Sequence, residues 1–299
     1  MAEKKWAGTT FGSGAMHRWL IRLLRFVDVR AVYVFAFVFV IPVCVFLPGF
    51  RHSYRFFRRR MNDGRLKAFV RAYANHCLFA QAVIDKFAMY AGKRFNISME
   101  GEEHFNRLAS RPESFMMLSS HIGNYEIAGY SLRSEHKQFN ALVYSGEKES
   151  VMANRDRMFA QSRIRMIPVS EDGSHLFEIN AALSHGDIVS IPADRIWGSS
   201  KSIPVTLLGK EARLPMGPFR VAVLLEQKVL AVHVMKNGAK SYKIYVTPLS
   251  YAAGAPREEQ LRQLAKSYAA EIERILSLYP TQWYNYSDFW NDDTDTALH

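Results

Sequence analysis

The sequence predicts an α/β fold with a mixed, mostly parallel sheet, helices on both faces of that sheet, and a separate helical region at the N-terminus. Three observations support this prediction. Strand and helix patterns alternate from about residue 95 to residue 278. The first sixty residues hold one long uncharged segment surrounded by basic residues. Hydrophobic residues make up 48% of the 299 residues, enough for one large domain with an appendage.

The longest apolar segment covers residues 31–50, which carry no charged side chain (AVYVFAFVFVIPVCVFLPGF). About twenty apolar residues suffice to cross a bilayer core of roughly 30 Å. Pro42 would kink a helix in this segment, and Pro48-Gly49 would end it. We predict a membrane anchor that either spans the bilayer or re-enters in its plane. The alternative is a buried core helix.

The net charge of +11 is concentrated near this segment. Residues 1–60 contain eleven Lys and Arg but only two acidic residues, so they carry +9 of the total. A basic amphipathic helix precedes the segment, with Arg18, Arg22 and Arg25 at helical spacing. An anionic membrane surface therefore explains the charge better than a nucleic acid does. The run Arg58–Arg60 after the segment favours a cytoplasmic position for the rest of the chain.

Hydrophobic periodicity predicts a long helix over 66–90, followed by alternating elements. Strands are expected at 95–99, 114–119, 139–144, 164–169, 187–193, 203–208, 229–235 and 242–248. Helices are expected at 123–133, 148–161, 174–185, 217–226 and 257–278. Cys44 and Cys77 lack a pairing motif, and the histidines lack metal-ligand spacing. We therefore predict no disulfide, no metal and no cofactor, in a reducing compartment.

The most informative motif is Ser119-Ser120-His121-Ile122-Gly123-Asn124-Tyr125-Glu126, which follows the apolar run 115–118. The run predicts a buried strand, and the Gly-Asn pair predicts a turn into a helix. An imidazole at such a junction can take a proton from a hydroxyl, and a carboxylate in reach can fix its tautomer. We predict that His121 and Glu126 form a catalytic dyad. The alternative is a structural surface histidine.

The string His-Ile-Gly-Asn-Tyr-Glu at 121–126 resembles the His-x-Gly-Asn-Trp/Tyr-Glu box of the late acyltransferases of lipid A synthesis. Its His-x4-Glu spacing resembles the dyad of glycerolipid acyltransferases. Later segments resemble the same family in the same order, at Pro192-Ala193-Asp194, Pro215-Met216-Gly217 and Pro280-Thr281-Gln282-Trp283. The Phe-Pro-Glu-Gly box of the glycerol-phosphate branch is absent. Both ends of the chain look like a divergent branch, which leaves the acceptor open between lipid A and another envelope lipid.

The resemblance implies further site residues. Asn124, inside the box, is expected to contact substrate. Asp194 and Arg195 follow a strand, and both are expected to bind substrate. Asp194 is expected to position the acceptor or orient a neighbouring arginine; the alternative is a local ion pair that caps a loop. Arg163, before strand 164–169, is expected to bind phosphate, as the first choice among four arginines. The alternative for each of the four is a solvated charge, and they are Arg155, Arg157, Arg163 and Arg165.

Two further segments leave alternatives open. Gly217 lies where a helix begins, and the free N–H groups of that helix could hold an anion; the alternative is a turn without a ligand. The aromatic run 283–290 could pack helix 257–278 onto the sheet, wall an acyl groove, or lie at the membrane interface.

We therefore predict a membrane-anchoring helical region over 1–64 and an acyltransferase catalytic domain over 65–299, at the bacterial inner membrane and facing the cytoplasm. His121 would act as general base on a lipid hydroxyl, oriented by Glu126. The resemblance implies an acyl thioester donor, with acyl carrier protein favoured over coenzyme A. One alternative is a lysophospholipid or aminolipid acyltransferase that uses acyl-CoA. Another is a non-catalytic membrane scaffold with the same fold.

Overall fold

A computed structural model of the protein describes residues 13–144, 163–170, 172–196, 201–286 and 289–290. The N-terminal region begins with a series of short helices, which are α1 (Gly14–Phe26), α2 (Val29–Phe35), a π-helical turn (Ala36–Val40), α3 (Ile41–Cys44) and α4 (Pro48–Arg59). A long helix of 26 residues follows, which is α5 (Arg65–Tyr90).

The rest of the chain alternates between strands and helices. The strands are β1 (Asn96–Glu100), β2 (Phe115–Ser119), β3 (Phe139–Tyr144), β4 (Ile164–Val169), β5 (Ile188–Pro192), β6 (Ser202–Leu207), β7 (Lys210–Pro215), β8 (Lys228–Gly238) and β9 (Ser241–Leu249). The helices are α6 (Glu102–Ala109), a 3₁₀ turn (Tyr125–Ile127), α7 (Ala128–Ser131), α8 (Ser174–Ser184), α9 (Met216–Leu224) and α10 (Arg257–Leu278).

Seven strands form one sheet in the order β1-β9-β8-β2-β5-β3-β4, and β6 pairs with β7 as a separate antiparallel hairpin. Every neighbouring pair in the large sheet is parallel except β8 and β9. The predicted mixed, mostly parallel sheet is therefore confirmed. The carboxyl ends of β2, β5, β3 and β4 meet at one edge, which is where parallel sheets usually bind ligands.

The sheet is covered on both faces, as predicted. Side chains alternate along β2, so that Met116 and Leu118 join one core cluster while Phe115 and Met117 join another. The first cluster includes α8, α9 and α10, and the second includes the end of α5 and α6. These four side chains are at most 1% exposed, as expected for a central parallel strand.

The N-terminal helices pack on α5. Leu24 and Tyr33 contact the second half of α5 near Phe87, and Phe57 contacts its first half near Ala68. Among the described residues, no single helix is long and apolar enough to cross a membrane. The segments Val29–Cys44 and Pro48–Arg59 meet that requirement together, but they are bent by 91°.

The proline at the end of the apolar segment acts differently from the prediction. Pro48 is the first residue of α4, where its missing N–H costs no hydrogen bond, so Pro48-Gly49 begins a new helix after a break at residues 45–47.

One strand was not predicted, one predicted helix is shorter than expected, and another lies outside the described residues. Residues 210–215 form β7, because Leu208 and Gly209 both adopt positive φ angles and make a tight hairpin turn. The dipeptide Leu-Gly does not predict such a turn. The helix expected over 123–133 is reduced to the 3₁₀ turn and α7. The helix expected over 148–161 lies outside the described residues, as do Arg155 and Arg157.

We expect His233 on β8 to make the stability of the fold sensitive to pH. Its ring is fully buried, neither ring nitrogen has a hydrogen-bond partner among the described residues, and Nδ1 lies 3.9 Å from Glu271 Oε1. Burial lowers the pKa of His233 to about 4, although Glu271 opposes this shift. Between that value and the ordinary histidine pKa near 6.5, the unfolded chain binds a proton that the folded chain does not.

We therefore expect the free energy of unfolding to fall by ~3 kcal/mol as the pH drops from about 6.5 to about 4. Urea denaturation across this range measures it. His233→Gln should flatten the pH dependence, whereas the same change at the exposed His136 should leave it as in the wild type. An unchanged slope in His233→Gln would show that other groups cause the acid sensitivity.

Candidate active site

The loop that carries His121 lies along a strand that is longer than its neighbour. β2 ends at Ser119, but β8 continues beyond it, and the loop runs beside this extension with Gly123 bridged to Val234. The Asn124 N–H donates to Val234 O at 2.8 Å. Gly123 has φ +72°, and a Cβ there would lie 2.0 Å from Val234 O. The loop therefore requires glycine at this position.

The imidazole of His121 is held by a carboxylate from the end of β5. His121 Nδ1 lies 2.8 Å from Asp194 Oδ1, and the His121 backbone N–H donates to Asp194 Oδ2 at 2.9 Å. Trp283 Nε1 also donates to Oδ2, at 3.3 Å. The Asp194 side chain is 0% exposed, whereas that of His121 is 23% exposed. Asp194 is thus buried behind a histidine that solvent reaches.

Asp194 is ionised despite its burial. Burial would raise the pKa of Asp194, but the adjacent His121 ring, Arg195 and the backbone N–H outweigh it and hold the pKa at about 2. An ionised carboxylate at Nδ1 fixes the neutral ring as the Nδ1–H tautomer. Nε2 is then the basic nitrogen, and the carboxylate stabilises the ring after it gains a proton. This arrangement can take a proton from a hydroxyl.

A segment near the end of the chain completes the loop. Gly123 N–H donates to Gln282 O at 2.8 Å, and Tyr284 N–H donates to His121 O at 3.0 Å. The Gln282 side chain pairs with the backbone N–H and C=O of Lys236, at 2.9 and 2.7 Å. Asn75 on α5 donates to the carbonyls on either side of Gln282, those of Thr281 and Trp283. The aromatic ending therefore packs in the core and also supports the site.

The structure corrects the partner predicted for His121. The carboxylate at Nδ1 belongs to Asp194, and Glu126 instead forms an ion pair with Lys86 of α5, with 2.9 Å between Nζ and Oε1. Tyr90 of α5 also donates to Glu126 Oε2, at 3.5 Å. The reason is local geometry: the left-handed Gly123 and the 3₁₀ turn that follows direct Glu126 toward α5.

Two other predicted residues, Arg195 and Asn124, lie close to the His121–Asp194 pair. Arg195 follows Asp194, and its guanidinium donates to Tyr284 O at 2.7 Å. Burial lowers the pKa of Arg195, while the neighbouring Asp194 opposes that shift. Asn124 is 7% exposed, and its amide donates to Ala82 O at 3.3 Å and Tyr242 OH at 3.4 Å. Asn124 therefore supports the loop from within the fold, rather than presenting its amide to a substrate as predicted.

Arg163 and Gly217 are not brought to His121 by any described contact. Arg163 immediately precedes β4, so it lies at the amino-terminal edge of the parallel strands, opposite the edge that carries His121. A strand of six residues separates the two edges by roughly 15 Å. Arg163 is exposed there and far from His121, and its role as a phosphate ligand stays a prediction. Gly217 is the second residue of α9, and a Cβ there would meet no atom within 4 Å.

Several residues of the site did not emerge from the sequence as functional. Trp283 lies in the aromatic run and in the family-like segment 280–283, but neither pattern predicts that its indole N–H donates to Asp194. Lys86 and its neighbour Asp85 did carry a signal. They are adjacent charges inside the apolar stretch 82–88 of α5, where a charged residue is unexpected unless it is paired. Both are buried and paired.

Among solved structures, the chain is similar to the 1-acyl-sn-glycerophosphate (LPA) acyltransferase PlsC from Thermotoga maritima. The likeness covers 90% of this chain and 99% of that chain, at 15% sequence identity and a TM-score of 0.40. No curated protein sequence matches this chain at a significant level.

A family model described as Bacterial lipid A biosynthesis acyltransferase matches residues 78–290. This region is more than two thirds of the chain. It begins within α5 and contains His121, Asp194 and Trp283, which form the centre of the site. The chain therefore belongs to the bacterial lipid A biosynthesis acyltransferase family.

Proposed function

We propose that the protein transfers a fatty acyl chain from an acyl thioester to a hydroxyl of a bacterial envelope lipid, with His121 as the general base. The observation that carries the proposal is the partly exposed His121 ring, held at Nδ1 by the buried, ionised Asp194. Membership of the family supports acyl transfer to lipid-related substrates. Asp194 takes the orienting role that the sequence motif suggests for Glu126.

The reaction needs no group beyond a base, an oxyanion site and the two substrates. His121 Nε2 removes the proton of the acceptor hydroxyl while its oxygen attacks the thioester carbonyl carbon. The tetrahedral intermediate then collapses, the C–S bond breaks, and the leaving thiolate takes the proton from the imidazolium. Asp194 stabilises the imidazolium between these two steps. The products are the acylated lipid and the free thiol of the donor.

The first prediction concerns the two carboxylates. His121→Ala and Asp194→Asn should each lower kcat by at least ~10²-fold, because loss of a general base or of its orienting partner has effects of this size. Glu126→Gln should lower kcat less than Asp194→Asn does, since Glu126 pairs with Lys86, whereas Asp194 pairs with His121 Nδ1. Transfer of radiolabelled acyl groups into lipid measures all three.

Circular dichroism should show that the three variants fold. Wild-type turnover by a folded His121→Ala variant would refute the proposed base. A large loss in Glu126→Gln together with a small loss in Asp194→Asn would instead restore the His121–Glu126 dyad.

We further propose that the N-terminal helices bind the inner membrane from its cytoplasmic side, as a bent insertion. The observation in support is a row of large apolar side chains around the bend that are each more than half exposed, namely Val34, Phe35, Val38, Phe39, Val43, Phe46 and Leu47. Soluble proteins rarely expose so continuous an apolar patch. Phe56 of α4, the helix after the bend, packs on Trp283 with ring centroids 5.5 Å apart, so α4 contacts a residue of the site.

The second prediction tests this surface. The double variant Phe39→Gln/Phe46→Gln should bind vesicles about 10²-fold more weakly, because each phenylalanine contributes roughly 1.5–3 kcal/mol when buried. Phe177→Gln is the matched control, since Phe177 is 81% exposed on α8 and Phe46 is 84% exposed. Sedimentation with anionic vesicles at low and high salt measures binding. Equal loss in both variants, or full release of the wild type by salt, would refute the proposal.

For the donor, we propose acyl carrier protein, which would dock by its acidic surface on the basic N-terminal region. Within the run Arg58–Arg60, the Arg58 guanidinium donates to Asp63 O and Arg60 stacks on the Trp290 ring at 4.8 Å, so both also support the fold. Three nearby arginines are exposed and are therefore the better positions for testing this surface, namely Arg51, Arg55 and Arg65.

The third prediction follows from that surface. Changing Arg51, Arg55 and Arg65 to Glu should raise the KM for acyl carrier protein about tenfold or more, because docking of opposite charges depends on the local field. The kcat at saturation should stay near the wild-type value. The KM for acyl-CoA should change little, and added salt should reproduce the effect for the carrier protein alone. Equal changes in KM for both donors would indicate that these arginines contact the lipid surface and not the carrier protein.

The acceptor is to be identified in cells. Lipid mass spectrometry of a strain lacking this gene, compared with the same strain complemented by wild type and by His121→Ala, should show one lipid class with one acyl chain fewer in the first and third. No difference in any acylated lipid would argue for the non-catalytic scaffold.

A further inference from the structure

A cluster of four buried side chains joins the N-terminal helices to the sheet beside the His121 loop. Its centre is Asp85 of α5, which is 0% exposed and lies 2.5 Å from Lys236 Nζ of β8. Tyr33 of α2 and Tyr242 of β9 both donate their hydroxyls to the Asp85 carboxylate. Lys236 Nζ also donates to Tyr33 OH at 3.2 Å. We refer to these four residues as the Asp85 cluster.

The Asp85 cluster contacts the His121 loop along three routes. Tyr242 OH accepts a hydrogen bond from the Asn124 amide at 3.4 Å. The backbone of Lys236 holds the Gln282 side chain, and Gln282 O in turn accepts from Gly123 N–H. Val234, two residues before Lys236 on β8, accepts from Asn124 N–H.

A buried ion pair is weak evidence for a role in stability, because apolar residues of similar volume often replace such pairs without loss. In contrast, a buried network with every group satisfied fixes one geometry of the elements that it joins. Here those elements are α2, α5, β8 and β9. Lys236 Nζ also donates to Ala239 O at 3.1 Å, so the network fixes the turn between β8 and β9 as well.

We propose that Tyr33, Asp85 and Lys236 are positioning residues for the reaction, which hold the β8 extension and Tyr242 so that His121 keeps its place against Asp194. The proposal rests on the proposed function, because it takes His121 as the base. It also gives the N-terminal region a second role beyond membrane binding. Through Tyr33, α2 supplies part of the support of the site.

The expected size of the effect on kcat follows from how precisely catalytic groups must be placed. Catalytic groups need placement within a fraction of an ångström, and a shift of about 1 Å in a reacting group lowers rates by about 10²-fold. The Asp85 cluster does not touch His121, so its loss should relax the loop only in part. We expect a decrease in kcat of about tenfold, with the KM for the acyl donor unchanged, because the donor surface is elsewhere.

The decisive variant is Tyr33→Phe, which removes one hydroxyl and keeps the ring. Its kcat should fall about 3- to 10-fold, with the KM for acyl carrier protein, vesicle binding and Tm close to the wild type. Tyr73→Phe is the matched control. Tyr73 also links α5 to the N-terminal segment, by donating to Phe37 O at 2.8 Å, but it lies outside the Asp85 cluster. This control should keep the wild-type kcat.

A second set of variants separates stability from positioning. Asp85→Asn alone leaves Lys236 as an uncompensated buried charge, and the Tm should fall by about 5–10 °C. The double variant Asp85→Asn/Lys236→Met removes both charges. Its Tm should return to within about 3 °C of the wild type while its kcat stays about tenfold lower. A cluster that acts only on stability would recover both together.

The full-length chain in mixed micelles, with radiolabelled acyl carrier protein thioester and a membrane lipid extract, is the assay for every variant. Wild-type kcat in Tyr33→Phe, or an equal loss in Tyr73→Phe, would overturn the positioning role. Recovery of kcat together with Tm in the double variant would overturn it as well. His121→Ala is included in each series. If that variant is active, the proposed function itself fails, which is a separate result.

Discussion

The carboxylate of Asp194 is ionised and fully buried, and the site is arranged around the donors that this state requires. An unpaired charge cannot remain in a protein interior, so each of its oxygens must receive hydrogen bonds. Oδ1 is paired with the His121 ring, and Oδ2 with the His121 backbone N–H and the Trp283 indole. The hydrogen bonds that pair the buried carboxylate therefore also position the histidine.

This requirement explains why distant parts of the chain converge. Trp283 reaches Asp194 only because the last segment pairs with the His121 loop, and that segment is held by Asn75 on α5. Ser53 of α4 donates to Asn75 Oδ1 at 2.9 Å, so the N-terminal helices are part of the same chain of hydrogen bonds. The division at residue 64 thus separates regions by composition, but the contacts that support the site cross it.

Local patterns in the sequence predicted much of the fold. The α5 and α10 helices and most strands have a clear period and end at recognisable residues, so their limits agree within a residue or two. β7 was missed because its turn uses Leu208 at positive φ, which the residue type does not favour. Within the site, His121 was found from a local motif. Asp194 was also predicted as a site residue, but its contact with His121 Nδ1 was not. That contact depends on the pairing of β2 with β5. Arg163 precedes β4, and its distance from His121 became clear only when β4 was seen to lie parallel in the same sheet as β2.

The hydrogen bonds between residues 121–123 and 282–284 have a consequence for synthesis of the protein on the ribosome. The apolar helices before residue 60 are made more than two hundred residues before Trp283. Contacts so far apart in sequence form late in folding. If these helices bind a membrane as proposed, the nascent chain can reach a lipid surface before residues 282–284 are made and the histidine gains its final support. A premature stop codon before residue 282 would remove the segment that orders the His121 loop and supplies the Trp283 donor to Asp194.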